Sequence, residues 1–313
     1  MNTAGPTTNP DRSGLSPTQW RQIGLITVSA VALFVMLRML PTGTALSHMD
    51  FRIDSPNVIE FCDPSNPQFI PVVAVASPVS LSLKSTTAHT GKPVEATVVL
   101  KTANGKPIAT EDLLVVHTKQ LHLLIIDPTL TDYQHVHPNP TGAPGEWSFQ
   151  FTPHASGNYR IFADFTPAAT GRGLYATTDL PVASAGAGGI TGSVTGTANV
   201  TDDYTLALTP ANPVLRARQP VDLRFTVVSA SGGEVPLEPV MDAYAHLVAF
   251  DQARSGFAHL HPMQIDPLQA PDRMHPALDF KVTIPSAGRY VVWAQVKIDG
   301  NETFTPFWFD VVD

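Results

Sequence analysis

The chain contains an internal repeat, and this repeat constrains the fold more than any other feature. The segment from His122 to Pro138, HLLIIDPTLTDYQHVHP, returns without a gap as HLVAFDQARSGFAHLHP from His246 to Pro262. Further along, GNYRIFADF from Gly157 corresponds to GRYVVWAQV from Gly288, with about seven more residues in the second copy's intervening loop. Because self-similarity of this kind marks a repeated structural unit, the sequence predicts one domain that occurs twice.

The repeated domain is predicted to be a β-sandwich, so the fold class is all-β. Trp147, Phe149 and Phe151 alternate with polar residues, as expected for a strand with one buried face. The chain's 29 prolines and 21 glycines lie between short runs rich in Val and Thr, which is typical of strands joined by turns. About seven such strands in each copy predict two packed sheets.

The predicted organisation follows from the repeat and from two shifts in composition. An apolar run precedes the repeats, and a run of Gly, Ala, Ser and Thr separates them. The predicted segments are a cytoplasmic tail (1–22), a transmembrane helix (23–40), a Pro-rich spacer (41–78), the first sandwich (79–182), a linker (183–201) and the second sandwich (202–313).

The apolar run from Ile23 to Leu40 carries a single charge, at Arg38. Eighteen helical residues cover about 27 Å, which is just enough to span a bilayer. Since Arg21 stands before the run, we expect a single-pass protein of the inner membrane with its N-terminus inside and both sandwiches in the periplasm. A cleaved signal peptide is the alternative, because small residues near Ala45 resemble a cleavage site.

Composition excludes several classes of function. A formal net charge of -8 without a basic tract predicts that nucleic acid is not a partner. Cys62 is the only cysteine, so the chain has no intrachain disulfide and no CxxC pair. We interpret Cys62 as a buried apolar side chain, with soft-metal ligation or an intermolecular contact as alternatives. The sequence contains no GxSxG, HExxH or GxxxxGK motif, and we predict that the protein is not an enzyme.

Histidines recur at the same spacing in both repeats and predict metal sites. Residues two apart in a strand point to the same side, so His135 and His137 present two imidazoles together. His122 joins them if its strand pairs back with His122 opposite His137. Three neutral imidazoles suit Cu(II) or Zn(II). The predicted ligands are His122, His135 and His137 in the first repeat and His246, His259 and His261 in the second.

The fourth coordination position and a purely structural role are both left open by the sequence. Water could complete either site, as could His117 in the first repeat or Met263, Met274 or His275 in the second. Alternatively, a histidine before proline donates to a backbone carbonyl, while the other histidines bond to Asp127 or Asp251 in the core. A blue-copper centre is not expected, because it requires a cysteine ligand and neither repeat contains one.

The motifs HxHP followed by GxYRxFxDF, and AHLVAF with AHLHP, resemble a group of bacterial secreted or membrane-anchored proteins. The resemblance covers roughly residues 80–182 and 203–313. It implies Ig-like or cupredoxin-like sandwiches, and some members are associated by name with heavy-metal handling. The second repeat departs from the pattern, since it has Gln295 where the first has Asp164.

Two hypotheses for function follow. The first is a non-catalytic accessory subunit, anchored by residues 23–40, whose sandwiches dock on a respiratory or photosynthetic electron-transfer complex in the membrane. The apolar residues between Phe51 and Phe69 and the loop from Met263 to Pro276 are the surfaces expected to dock. The second hypothesis is a periplasmic carrier or chaperone that binds copper or zinc through the histidines of the HxHP motifs.

Overall fold

The structure of the protein is a computed structural model that describes residues 16–39, 46–51, 67–84, 86–184, 197–201, 203–263 and 269–313. It separates into two units, an N-terminal helix and the compact remainder from Leu46 to Asp313. Cys62, most of the tail and the middle of the linker lie outside the described residues. The predicted fold class, two tandem β-sandwiches preceded by one apolar helix, is confirmed.

The N-terminal helix, α1, runs from Pro17 to Met39. Ser16 begins it with a capping box, because the backbone N–H of Gln19 donates to Ser16 Oγ and the backbone N–H of Ser16 donates to Gln19 Oε1. Its segment Pro17–Leu37 is long and apolar enough to cross a membrane, a property that a signal sequence shares.

In its described residues, the first sandwich comprises nine strands and a short 3₁₀ helix at Thr110–Asp112. Its strands are β1 (Val79–Leu83), β2 (Ala88–His89), β3 (Val94–Thr102), β4 (Leu121–Ile126), β5 (Tyr133–Val136), β6 (Asn139–Pro140), β7 (Glu146–Phe151), β8 (Gly157–Phe165) and β9 (Leu174–Ala183). They form one sheet in the order β1-β3-β7-β6 and a second in the order β2-β9-β8-β4-β5. This is the strand order of an Ig-like sandwich, in which the two sheets share one core.

The second sandwich repeats this plan. Its strands are β10 (Ala198–Val200), β11 (Tyr204–Pro210), β12 (Leu215–Arg216), β13 (Pro220–Ser229), β14 (Leu237–Glu238), β15 (His246–Asp251), β16 (Phe257–Leu260), β17 (Ala277–Thr283), β18 (Gly288–Ile298) and β19 (Asn301–Val312). The sheets have the orders β10-β11-β13-β17 and β12-β19-β18-β15-β16, with β14 also paired to β18.

A tyrosine at the same place in each sandwich supports the Ig-like assignment. The hydroxyl of Tyr159 donates to the carbonyl of Ala155, and the hydroxyl of Tyr290 donates to the carbonyl of Ser286, both at 3.0 Å. Each bond runs four residues back along the chain and closes the corner before β8 or β18. Such tyrosine corners are a hallmark of Greek-key sandwiches.

The two sandwiches pack against each other through the outer faces of their larger sheets. In the larger sheet of the first sandwich, β4, β5 and β8 face β15, β16 and β18 of the second sandwich. The ring of Phe162 lies 5.3 Å from that of Phe257 and 5.9 Å from that of Phe250. The apolar cluster between the sheets consists of Ile70, Val72, Leu124, Ile126, Leu130, Tyr133, Phe162, Val248, Phe250, Phe257, Val291 and Trp293.

The described parts of the segment between helix and sandwiches are packed on the sandwiches. A 3₁₀ helix at His48–Phe51 buries Phe51 in the first core, and Phe69 is buried in the second. Ile70 exchanges two backbone hydrogen bonds with Phe257, at 2.8 and 3.1 Å, so it covers the free edge of β16. Phe51 and Phe69, at the two ends of the segment expected to dock, thus stabilise the sandwiches themselves, while residues 52–66 between them lie outside the described residues.

This edge pairing predicts that Gly256 tolerates no side chain. A Cβ atom there would lie 1.8 Å from the carbonyl oxygen of Ile70, so Gly256→Ala must displace the segment that covers β16. We expect a loss of about 1–3 kcal/mol in the free energy of unfolding, measured by denaturant titration. Gly233→Ala is the control, since its Cβ would meet only Ser231 Oγ at 3.4 Å. Equal stability of the two variants would contradict the close approach.

Candidate metal centre

The strands of the larger sheets place the predicted histidines between the sandwiches. In β4 every residue is buried, because Leu121, Leu123 and Ile125 point into the first core while Leu124 and Ile126 point toward the second sandwich. His122 has the same parity as Leu124 and therefore lies on the face between the sandwiches. The same alternation in β15 places His246 on the opposing face.

The pairing register completes a trio of histidines in each sandwich. In the first, Leu123 pairs with Val136, which sets His122 opposite His137, as the sequence analysis assumed. In the second, Leu247 pairs with Leu260, which sets His246 opposite His261. We call His122, His135 and His137 the first trio and His246, His259 and His261 the second trio. In each trio, one ring nitrogen from every member lies within 4.8 Å of the others.

Outer hydrogen bonds fix which nitrogens of the first trio carry protons. Nε2 of His122 donates to the carbonyl of Val116 at 3.0 Å. Nδ1 of His135 donates to Oε1 of Gln295 at 2.9 Å, and the amide orientation is set because Gln295 Nε2 donates to Glu302. In a neutral imidazole only one nitrogen is protonated. The inward nitrogens, His122 Nδ1 and His135 Nε2, are therefore bare lone pairs that face each other at 3.1 Å.

The second trio has the same arrangement. Nε2 of His246 donates to the carbonyl of Val240 at 2.9 Å, and Nδ1 of His259 donates to a carboxylate oxygen of Asp164 at 3.1 Å. Their inward nitrogens, His246 Nδ1 and His259 Nε2, are bare as well. Among the described residues, these two atoms and Nε2 of His261 are buried without a hydrogen-bond partner, as is Nε2 of His137 in the first trio.

Burial keeps these histidines neutral. It lowers the pKa of His137 to about 3 and that of His246 to about 4. Burial also holds the pKa of His135, His259 and His261 well below the usual value, and lowers that of His122. Around neutral pH the lone pairs are therefore available to a metal ion without first losing a proton.

Each trio is oriented by a residue of the other sandwich. His135 of the first sandwich donates to Gln295 of the second, and His259 of the second donates to Asp164 of the first. Asp164 and Gln295 occupy equivalent positions, because they pair with His122 in β4 and His246 in β15 respectively. Sequence reasoning missed these partners. The uninterrupted apolar runs HLLII and HLVAF are the available signal, since they indicate strands buried on both faces.

His117 lies with the second trio, although it belongs to the first repeat and was expected to complete the first trio. Its ring stacks on that of His261 with centroids 3.8 Å apart, whereas the ring of His122 is 6.4 Å away. His117 has a φ of 49° in the turn that begins at Val116, whose carbonyl accepts from His122. The equivalent turn of the second sandwich has Met241 at this position, with a φ of 50°.

The other candidates for a fourth ligand lie elsewhere. Met263, Met274 and His275 are exposed, in contrast to the buried trio that they were considered to complete. The structural alternative in which aspartates hold the histidines is also wrong as stated. Asp127 accepts from the backbone N–H groups of its own turn, and Asp251 accepts from Ser255. Both aspartates are turn formers.

A pocket of about 250 Å³ gives access to the histidines from one side. His122 of the first trio, His259 and His261 of the second, and Asp164 all contribute to its lining. The two trios adjoin here, because the ring centroids of His135 and His259 are 5.5 Å apart. The pocket therefore reaches one histidine of the first trio and two of the second.

The spacing of the inward nitrogens fits metal coordination. Nitrogen ligands lie about 2.0–2.1 Å from zinc, so two of them on a tetrahedral ion are about 3.3 Å apart. The corresponding separation between His122 Nδ1 and His135 Nε2 is 3.1 Å. Two lone pairs at this distance repel each other in the absence of a cation, and a bound cation would turn the repulsion into two ligand bonds.

Residues 74–182 and 198–313 each match the family described as Domain of unknown function (DUF8832). The chain belongs to this family. The two matches cover the two sandwiches, so each DUF8832 domain contributes one histidine trio. None of the curated proteins compared with the chain matches it.

Several solved structures are similar to this tandem of DUF8832 domains at low identity. The Escherichia coli adhesin FdeC is 15% identical, over 75% of this chain and 64% of the adhesin, with a TM-score of 0.24. Fibronectin(III)-like modules of Clostridium thermocellum CbhA are 12% identical, over 74% of this chain and 92% of the modules, with a TM-score of 0.19. Escherichia coli alpha-2-macroglobulin is 13% identical, over 76% of this chain and 22% of its own, with a TM-score of 0.25. These scores indicate neither a shared function nor a shared arrangement of domains.

Substitutions within the second trio should separate a ligand role from a structural one. His261→Phe keeps a planar ring against His117 and removes a buried nitrogen that has no partner among the described residues. We expect the metal-free variant to be as stable as the unsubstituted protein or more stable. His246→Phe should instead cost about 1–3 kcal/mol, because the carbonyl of Val240 loses its donor. Denaturant unfolding measures both, and an equal loss in both variants would indicate a structural role for His261.

Proposed function

We propose that the protein is a copper- or zinc-binding protein that holds one ion in each histidine trio, at the interface of its two sandwiches. The proposal develops the carrier hypothesis of the sequence analysis. It rests on one observation above all: in each trio two histidines commit their outer nitrogens as donors, which leaves their inward nitrogens bare, and Nε2 of the third histidine is buried without a partner.

A structural role explains the outer hydrogen bonds but not the bare nitrogens. A buried polar atom without a partner costs about 1–3 kcal/mol. Four such atoms are left among the described histidines of the two trios, and two more face each other at 3.1 Å. One metal ion in each trio would satisfy all six, and the outer bonds would hold the two bonded imidazoles of each trio in the tautomer that coordination requires.

The donor set favours Cu or Zn over harder ions. Each trio offers three imidazole nitrogens, which suit these metals, whereas Mg²⁺ and Ca²⁺ prefer oxygen ligands. With three protein ligands, a fourth position is open to water or to a ligand that enters through the pocket beside His122 and His259.

Metal titration of the purified full-length protein tests the proposal. We expect two equivalents of Cu(II) or Zn(II) to bind, as measured by competition with a chromophoric chelator. His135→Ala with His137→Ala should remove one equivalent, and His259→Ala with His261→Ala should remove the other. Each pair of substitutions should weaken the affected site at least about tenfold, because only one imidazole of the trio remains.

The control is the pair His89→Ala and His275→Ala, since both side chains are exposed and outside the trios. This variant should retain both equivalents. Binding that is the same in all three variants, or absent from the unsubstituted protein, would contradict the proposal.

The location proposed for this activity is the periplasmic side of the inner membrane, with α1 as an uncleaved anchor and the N-terminus inside. The apolar character of Pro17–Leu37 supports it. A protease added to intact spheroplasts should digest the sandwiches and leave a small membrane-bound fragment, whereas full protection would contradict this orientation.

Docking on a membrane complex stays a prediction, which extraction of the same membranes in mild detergent would test. Recovery of the protein without any partner would contradict docking and leave metal binding unaffected.

A further inference from the structure

The two trios are similar in their ligands but differ in the residue that orients them. His259 of the second trio donates to Asp164, a carboxylate, at 3.1 Å. His135 of the first trio donates to Gln295, a neutral amide, at 2.9 Å. These partners occupy equivalent positions in β8 and β18, so the difference is a substitution at one site of the repeat and not a difference in architecture.

A carboxylate and an amide act differently on a metal bound to the same imidazole. A carboxylate that accepts the outer N–H makes the imidazole a stronger donor, and its charge offsets part of the charge of a buried ion. The cation in turn favours the ionised form of Asp164. An amide orients the imidazole equally well but supplies no charge. Glu302 is separated from His135 by Gln295, because it bonds to Gln295 Nε2 and not to the histidine.

The two trios therefore differ in the charge of the group that contacts a ligand. The first trio has a neutral amide as its orienting partner, while the second has a carboxylate in direct hydrogen-bond contact with His259. Asp164 also pairs with His122 across the neighbouring strands, but the ring nitrogens of His122 are bonded to Val116 and His135 and not to this carboxylate.

We propose that the two trios are unequal metal sites, in which the second trio binds Cu(II) more tightly than the first and Asp164 and Gln295 determine the difference. This inference rests on the proposed function. Asp164 and Gln295 are positioning residues, since they act through His259 and His135. Copper bound to the first trio, which lacks the carboxylate, should therefore have the higher Cu(II)/Cu(I) midpoint potential.

The experiment uses full-length protein in which only one trio is intact. His122→Ala with His137→Ala leaves the second trio, and His246→Ala with His261→Ala leaves the first. Cu(II) affinity is measured by chelator competition, and the midpoint potential of the bound copper is measured by redox titration. The second trio should bind Cu(II) at least about tenfold more tightly and should have the lower midpoint potential.

Substitution of the orienting residues tests most directly whether they determine the difference between the trios. Asp164→Asn should weaken Cu(II) binding by the second trio about 10- to 100-fold and raise its potential. Gln295→Glu combined with Glu302→Gln, which keeps an amide beside the new carboxylate in place of a second negative charge, should strengthen binding by the first trio and lower its potential. The matched comparison is Asp164→Asn in the protein that retains only the first trio. There Asp164 lies beside His122 without accepting a hydrogen bond from it, so the affinity should change less than in the second trio. A purely structural role for these residues would not move the two potentials in opposite directions.

The possible failures are distinguishable. If both trios bind Cu(II) with equal affinity, or if Asp164→Asn weakens both trios alike, the inequality is refuted and the proposed function stands. If neither trio binds Cu(II) or Zn(II), the proposed function fails and the inequality fails with it. Gln295→Glu keeps the inference testable should Asp164→Asn impair folding, because the two variants alter different sandwiches.

Discussion

The structure depends on the contact between the two larger sheets. In an isolated sandwich the outer face of this sheet would meet solvent, and strands β4 and β15 would alternate between apolar and polar residues. Instead Leu124 and Phe162 of one sandwich meet Val248 and Phe250 of the other, and the sandwiches share an apolar cluster. This contact covers most of the face where the histidines lie, and burial then keeps the pKa values of His135 and His259 well below the usual value.

The same face has two chemically distinct ends. One end is apolar and stabilises the docking of the sandwiches, while the other contains both histidine trios. Six nitrogens without a suitable hydrogen-bond partner at the second end would together cost on the order of several kcal/mol, a large fraction of the roughly 5–15 kcal/mol that separates a folded domain from its unfolded state. Without a ligand, this arrangement would only destabilise the fold. Local destabilisation of this kind is typical of functional sites.

Sequence alone predicted what depends on local periodicity. The strand alternation and the common spacing of His122 and His135 with His246 and His259 placed each trio correctly, because hairpin register is determined by neighbouring residues. The contacts of Asp164 and Gln295 could not be predicted in this way. They cross between sandwiches, and their geometry depends on how two folded bodies pack, which no spacing within one repeat specifies.

Under the proposed function, this exchange of partners would link metal binding to the docking of the sandwiches. Each trio takes its three imidazoles from one sandwich and an orienting acceptor from the other, so neither site is complete unless the sheets are in contact. An ion that binds the docked state more tightly must stabilise that state by the same free energy, and a change that separates the sheets must weaken both sites together. Duplication of the domain thus supplied more than a second site. It supplied the surface on which each copy orients the histidines of the other.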